Sequence, residues 1–135
     1  MTFLLDTDTV SYALRGSGGV AGRILEHKPS DLAISSITLS ELIFGAQRRK
    51  SKKLMRLIDG FVHDIDVLPF DEEAARVFGK LAAQLADKGT PIGTNDAMIA
   101  GHALAVERRL VSNNLRHFKH VRGLQVETWV QSEDE

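Results

Sequence analysis

Five short apolar runs, each separated from the next by a stretch with helical character, restrict this chain more than any other feature. They are Phe3-Leu4-Leu5, Leu32–Ser35, Ile65–Leu68, Arg109–Ser112 and Leu124–Trp129. Most lack strict apolar–polar alternation, which is how strands covered on both faces read. Strands alternating with helices call for a parallel sheet, and right-handed crossovers then bring the C-terminal ends of the strands to one edge. The expected fold is α/β: a three-layer α/β/α sandwich around a central, mostly parallel five-stranded sheet. With 135 residues the chain is expected to form one domain over 1–135, ending in an acidic frayed tail at 131–135.

The stretches between the runs carry their own start and stop signals. Val10–Arg15 is a short helix ended by Gly16, and Val20–Lys28 a second one broken by Pro29. Thr38-Leu-Ser-Glu41 has capping-box spacing and is expected to open a helix, with Glu41 reaching back to Thr38. Leu54, Leu57, Ile58, Phe61 and Val62 form an i, i+3, i+4, i+7, i+8 stripe, a core or dimer surface. Asp71 caps a long helix that runs to Lys88 and ends at Gly89. In Pro91–Ala103 the expected caps are Thr94 or Asn95, with Ile99, Ala100, Ala103 and Val106 buried behind them. Asp96 then falls in a first helical turn, where unpaired N–H groups favour an acid.

In open α/β sheets, ligands bind in the crevice beyond the C-terminal strand ends. Asp6, Ser112 and Asn114 reach that edge directly, and Glu41 and Asp96 reach it on helix starts. Asp6 has a competing use as a helix cap, one that Thr7 or Asp8 would serve equally well. Converging carboxylates repel unless a cation sits among them. Oxygen ligands without cysteine select Mg2+ or Mn2+, and such ions suit phosphoryl chemistry. The absence of cysteine excludes disulfide staples and thiolate zinc sites. A net charge of −1 leaves no global basic field, so any nucleic-acid contact is local. Two runs qualify: Arg48, Arg49, Lys50, Lys52, Lys53 and Arg56, and then Arg116, Lys119 and Arg122 with His117 and His120. The two histidines read as surface or capping groups outside any metal site. No run has membrane-spanning length and no leader pattern is present, so a cytoplasmic protein is expected.

Four segments together resemble the PIN-domain ribonucleases, and in particular the VapC-type toxins of type II toxin–antitoxin systems. They are FLLDTDTVSY, ISSITLSELIFGAQR, PIGTNDAMIAGHAL and LVSNNLRHFKHVRGLQVETW, and they span essentially the whole chain. The resemblance implies a PIN-like sandwich and a Mg2+- or Mn2+-dependent endoribonuclease. It also implies a homodimer and a cognate VapB-type antitoxin whose segment fills the active-site groove. By position, Asp6, Glu41 and Asp96 match the family's metal-holding acids. Asn114 stands where the wider fold often has a fourth acid, and Ser112 and Thr7 match positions that orient a ligand or water. The implied reaction is attack of a metal-activated water on an RNA phosphodiester, with Arg48, Arg49, Lys50, Arg116 and Lys119 contacting the RNA.

Two other readings fit parts of the chain. Asp6-Thr-Asp-Thr-Val10 matches the D-x-D-x-[TV] start of haloacid-dehalogenase-like phosphatases, with Asp6 as nucleophile and Ser35-Ser36 resembling their second motif. A non-catalytic PIN-like binding module is the other.

Overall fold

The computed structural model describes residues 1–131. From residue 132, the expected tail lies outside the described residues. Five strands, β1 (Phe3–Leu5), β2 (Leu32–Ser35), β3 (Asp66–Leu68), β4 (Arg109–Val111) and β5 (Val126–Glu127), form one sheet in the order β3-β2-β1-β4-β5. Every pairing is parallel. Leu5 lies level with Ile34 and Val111, so the residues that follow all three strands emerge at one edge.

Among the described residues seven α-helices cover the sheet: α1 (Thr7–Arg15), α2 (Val20–Leu25), α3 (Ser36–Arg48), α4 (Lys52–Asp64), α5 (Glu72–Asp87), α6 (Thr94–Ala105) and α7 (Leu115–Phe118). Side chains alternate across a strand, and the two cores divide accordingly. Leu4, Ala33 and Leu110 face α5 and α6 through Leu81, Leu85, Ile99 and Ala103. Phe3, Leu5, Ile34 and Val111 face the other way, toward Val10, Leu42 and Ile58 of α1, α3 and α4. This is the expected three-layer α/β/α sandwich, with a sheet that is parallel throughout.

Several boundaries differ from the sequence expectation, each for a local reason. Helix α1 starts at Thr7 because Asp6 caps it, accepting from Thr9 N. Helix α3 opens on Ser35, whose hydroxyl accepts from Ile37 N, so the expected Thr38–Glu41 capping box does not form. Thr38 is buried inside the helix, and Glu41 lies more than a turn in. Helix α6 begins after Gly93, whose φ of 91° turns the chain in a way that Thr94 or Asn95 would resist. Val106 is the exposed C-cap of α6 rather than part of its buried face. Strand β5 is only two residues long, although Trp129 beyond it is buried, stacked on His27 at 4.7 Å and edge-on to Phe3 at 5.1 Å.

Two features fix α6. A methyl group at Gly101 would stand 2.8 Å from Phe78 Cα, so the α5 and α6 backbones touch. Buried His102 places Nδ1 2.8 Å from the Ser35 hydroxyl, tying α6 to the start of α3. Burial lowers the pKa of this imidazole, and the charge of Asp71 opposes that shift.

Candidate active site

Asp6 leaves β1 at the C-terminal edge and is 4% exposed. Its backbone N–H donates to Val111 O at 3.0 Å, continuing the β1–β4 ladder, while its Oδ1 accepts from Thr9 N at 2.8 Å. Thr9 Oγ1 donates to the same Val111 carbonyl at 3.0 Å. Burial pushes the Asp6 carboxyl up to about 6, hydrogen bonds from Ser112 and Thr9 pull it down, and the Asp8 charge adds a little upward. The cap and the candidate ligand are therefore one residue. Asp8, two residues further on, is exposed.

Glu41 arrives from α3. Its Oε1 accepts from Thr7 Oγ1 at 2.7 Å and its Oε2 from Asn95 Nδ2 at 3.1 Å. The Thr7 hydroxyl also lies 3.2 Å from Thr38 Oγ1. Thr7, expected to orient a ligand or water, spends its hydroxyl on Glu41, and Asn95 bonds Glu41 although it does not cap α6.

Asp96 lies at the mouth of α6, its side chain 33% exposed. The Asn114 amide donates to Asp96 Oδ2 at 3.2 Å and lies 2.8 Å from His117 Nδ1. That ring nitrogen also stands 3.3 Å from Asp96 Oδ2, and the tautomer decides whether it accepts from Asn114 or donates to Asp96. Ser112, fully buried at the end of β4, accepts from Asn114 N at 2.9 Å and so sets the turn that presents the amide.

His117 reads from sequence as a surface group, yet its i+3 spacing from Asn114 on a short helix is the signal that places it beside Asp96. Arg15, absent from the sequence candidates, ends α1 and lines both a polar depression of about 470 Å³ with Asp8, Tyr12 and Asn114 and a narrower one with Thr7, Glu41 and Arg49. Of the first basic run, Arg49 therefore borders the site. Lys50 instead lines a separate groove with Lys52 and Arg56 at the end of α3, and Arg48 is exposed. Arg116 and Lys119 are exposed on and just after α7.

The chemistry of these donors bears on whether they suit a divalent cation. Among the described residues no Lys or Arg pairs with Asp6, Glu41 or Asp96, and His117 is the single titratable partner of Asp96. Burial pushes the Asp6 carboxyl up to about 6, a penalty on the anion that a neighbouring cation would offset, and carboxylate oxygens are hard ligands. No three His, Asp or Glu side chains among the described residues come close enough together to enclose an ion as they stand. The donor types fit such an ion, with Glu41 and Asp96 each turned to polar side-chain neighbours. The phosphatase-like alternative loses its second motif, since Ser35 bonds Ile37 N and His102 while Ser36 Oγ accepts from Phe70 N at 3.0 Å.

Residues 3–124 match the PIN domain family model. The tRNA(fMet)-specific endonuclease VapC of Salmonella typhimurium is 38% identical over 130 residues, covering 96% of this chain and 98% of that one. Ribonuclease VapC2 of Rickettsia felis is 35% identical over 132 residues, with 96% and 98% covered. Among solved structures, DNA-bound VapBC from Salmonella typhimurium superposes with a TM-score of 0.89 at 38% identity, covering 96% of this chain and 98% of that chain. VapBC2 from Rickettsia felis, bound to a DNA fragment from its promoter, gives 0.86 at 34%, covering 96% and 99%.

Proposed function

The chain belongs to the PIN-domain family, and from that premise we propose that it is a VapC-type toxin, an endoribonuclease held in check by a VapB-type antitoxin. Asp6, Glu41 and Asp96 carry its chemistry. The observation that supports this most directly is that Glu41 bonds both Thr7 and Asn95, the chain neighbours of Asp6 and Asp96, with no Lys or Arg paired to the three acids among the described residues. Relatives named as ribonucleases align over nearly their whole length.

Asp6, Glu41 and Asp96 would hold the divalent ion, Mg2+ or Mn2+. Such an ion, when bound, lowers the pKa of a water and neutralises charge on a phosphodiester. The remaining work belongs to the chain. Ser112 and the Thr9 N–H fix the Asp6 carboxyl, Thr7 and Asn95 hold Glu41, and Asn114 holds Asp96. Arg15 and Arg49, on the wall beside Glu41, and Arg116 and Lys119, along α7, position RNA phosphates. In the overall reaction water adds to phosphorus and the 3′ oxygen leaves, giving a 5′-phosphate and a 3′-hydroxyl.

The protein works as a homodimer in the cytoplasm, bound by its antitoxin until released. Exposed Leu57 on α4 and Phe44 on α3 offer apolar contact area. No described helix is long and apolar enough to cross a membrane.

The test is cleavage of total cellular RNA, and of tRNA(fMet), by antitoxin-free protein with MgCl2 or MnCl2. A discrete cut with 5′-phosphate ends, abolished by chelation and by Asp6→Asn and Asp96→Asn, is the expected result. No cut by folded wild type overturns the reading, and phosphate-ester hydrolysis in its place would favour the phosphatase.

A further inference from the structure

Beyond the C-terminal end of α7 lies a groove of about 360 Å³ that the acids do not use. One wall is α5, where Lys80 and Gln84 share a helix face at i and i+4, with Lys88, the C-cap, beyond them. The other wall is the turn after α7, which contributes His120 and Arg122. Leu81, Leu104 and Val121 make the lining between them apolar. No Asp or Glu lines the groove, and among the described residues none of its cationic side chains forms an ion pair.

Unpaired positive charge around an apolar floor asks for a ligand with both an anion and a flat apolar body. A bare phosphate would satisfy the rim and leave the floor wet. A nucleotide supplies a phosphate for the cations and a base for the floor, and the volume falls in the range of small-ligand sites. Helix α7 supplies the connection. Asn114, which holds Asp96, precedes it, Arg116 and Lys119 lie on and just after it, and His120 follows two residues past its end. Helix α7 has four residues and spans about 6 Å, so a short rigid connection joins Asn114 at its start to the turn that lines the groove.

We infer that this groove holds one nucleotide of the RNA substrate a few positions from the cut bond, contributing affinity and no chemistry. The inference rests on the ribonuclease reading above.

The test combines Lys80→Glu with Arg122→Glu, and separately Lys80→Gln with Arg122→Gln, in the full chain carrying Asp96→Asn so that RNA is bound and not cut. Dissociation constants for fluorescein-labelled transfer RNA are measured across a salt series, with thermal melts to establish folding. The expected result is roughly tenfold weaker binding for the Glu pair and a smaller loss for the Gln pair. The slope of log K against log salt should become shallower by about 0.7 for each single-strand phosphate that the variant no longer neutralises. Unchanged affinity and slope in folded variants would overturn the groove assignment. So would adenosine monophosphate protecting the groove while RNA affinity stays indifferent to both pairs. Failure of wild-type protein to cleave RNA sinks the ribonuclease reading instead, which keeps the two failures apart.

Discussion

Asp6 and Asp96 stand at the same edge of the sheet, but the chain holds them in opposite ways. Asp6 is walled in, commits one oxygen to capping α1, and has a carboxyl that burial pushes up to about 6. Asp96 is a third exposed and touches only Asn114 and His117 among the described polar side chains. One acid belongs to the framework and to the candidate site; the other belongs to the candidate site alone. Substituting them should therefore separate stability from activity.

The largest expected effect is on the exposed side. Asp96→Asn should lower RNA cleavage about a thousandfold, the scale of losing a preorganised electrostatic group, with the melting temperature unchanged. A melting point that falls with activity would break the contrast.

Proton linkage is next. The folded protein holds the Asp6 proton more tightly than the unfolded chain does, so its contribution to stability is complete below pH 3.8 and is lost as pH rises through about 6. A shift of that size corresponds to about 3 kcal/mol. Asp6→Asn should flatten this slope in urea unfolding at pH 4 to 7, whereas Asp96→Asn should leave it in place. MgCl2 or MnCl2 at neutral pH should raise the melting temperature of wild type more than that of Asp6→Asn, because a ligand bound only by the folded state stabilises it.

Capping gives a smaller effect. Asp6→Ala should cost about 1 kcal/mol relative to Asp6→Asn, which keeps an oxygen for Thr9 N, while both abolish cleavage. Equal stability of the two would mean that the cap contributes nothing. Smallest is the support of Glu41: Thr7→Val should reduce cleavage by about tenfold, the scale of one hydrogen bond to a charged group, without moving the pH slope.

The same contrast marks what the sequence could reveal. The strands are legible because residues covered on both faces leave apolar runs that stop at the sheet edge, and Asp6 is legible as the residue after the first run. Asp96 can be placed because a helix start tolerates an acid. The cap of α3 escapes a sequence reading because Ser35 closes a strand and opens a helix at once, and a strand-ending serine leaves no capping-box pattern behind it. His117, Asn95 and Arg15 escape it because their roles depend on which elements the topology sets side by side. The reach from α7 to α6 spans 21 residues of sequence and that from α6 to α3 spans 54, and no local pattern encodes either.

Gly101 carries one more consequence, for divergence within such a family. Where two backbones touch, as at Gly101 and Phe78, there are no rotamers to readjust, so α5 and α6 shift together or not at all. Mutations accumulating on the solvent side of α5 leave the acid at the mouth of α6 where it is. Substitutions on that face can change what docks there without moving the carboxylate at the start of α6.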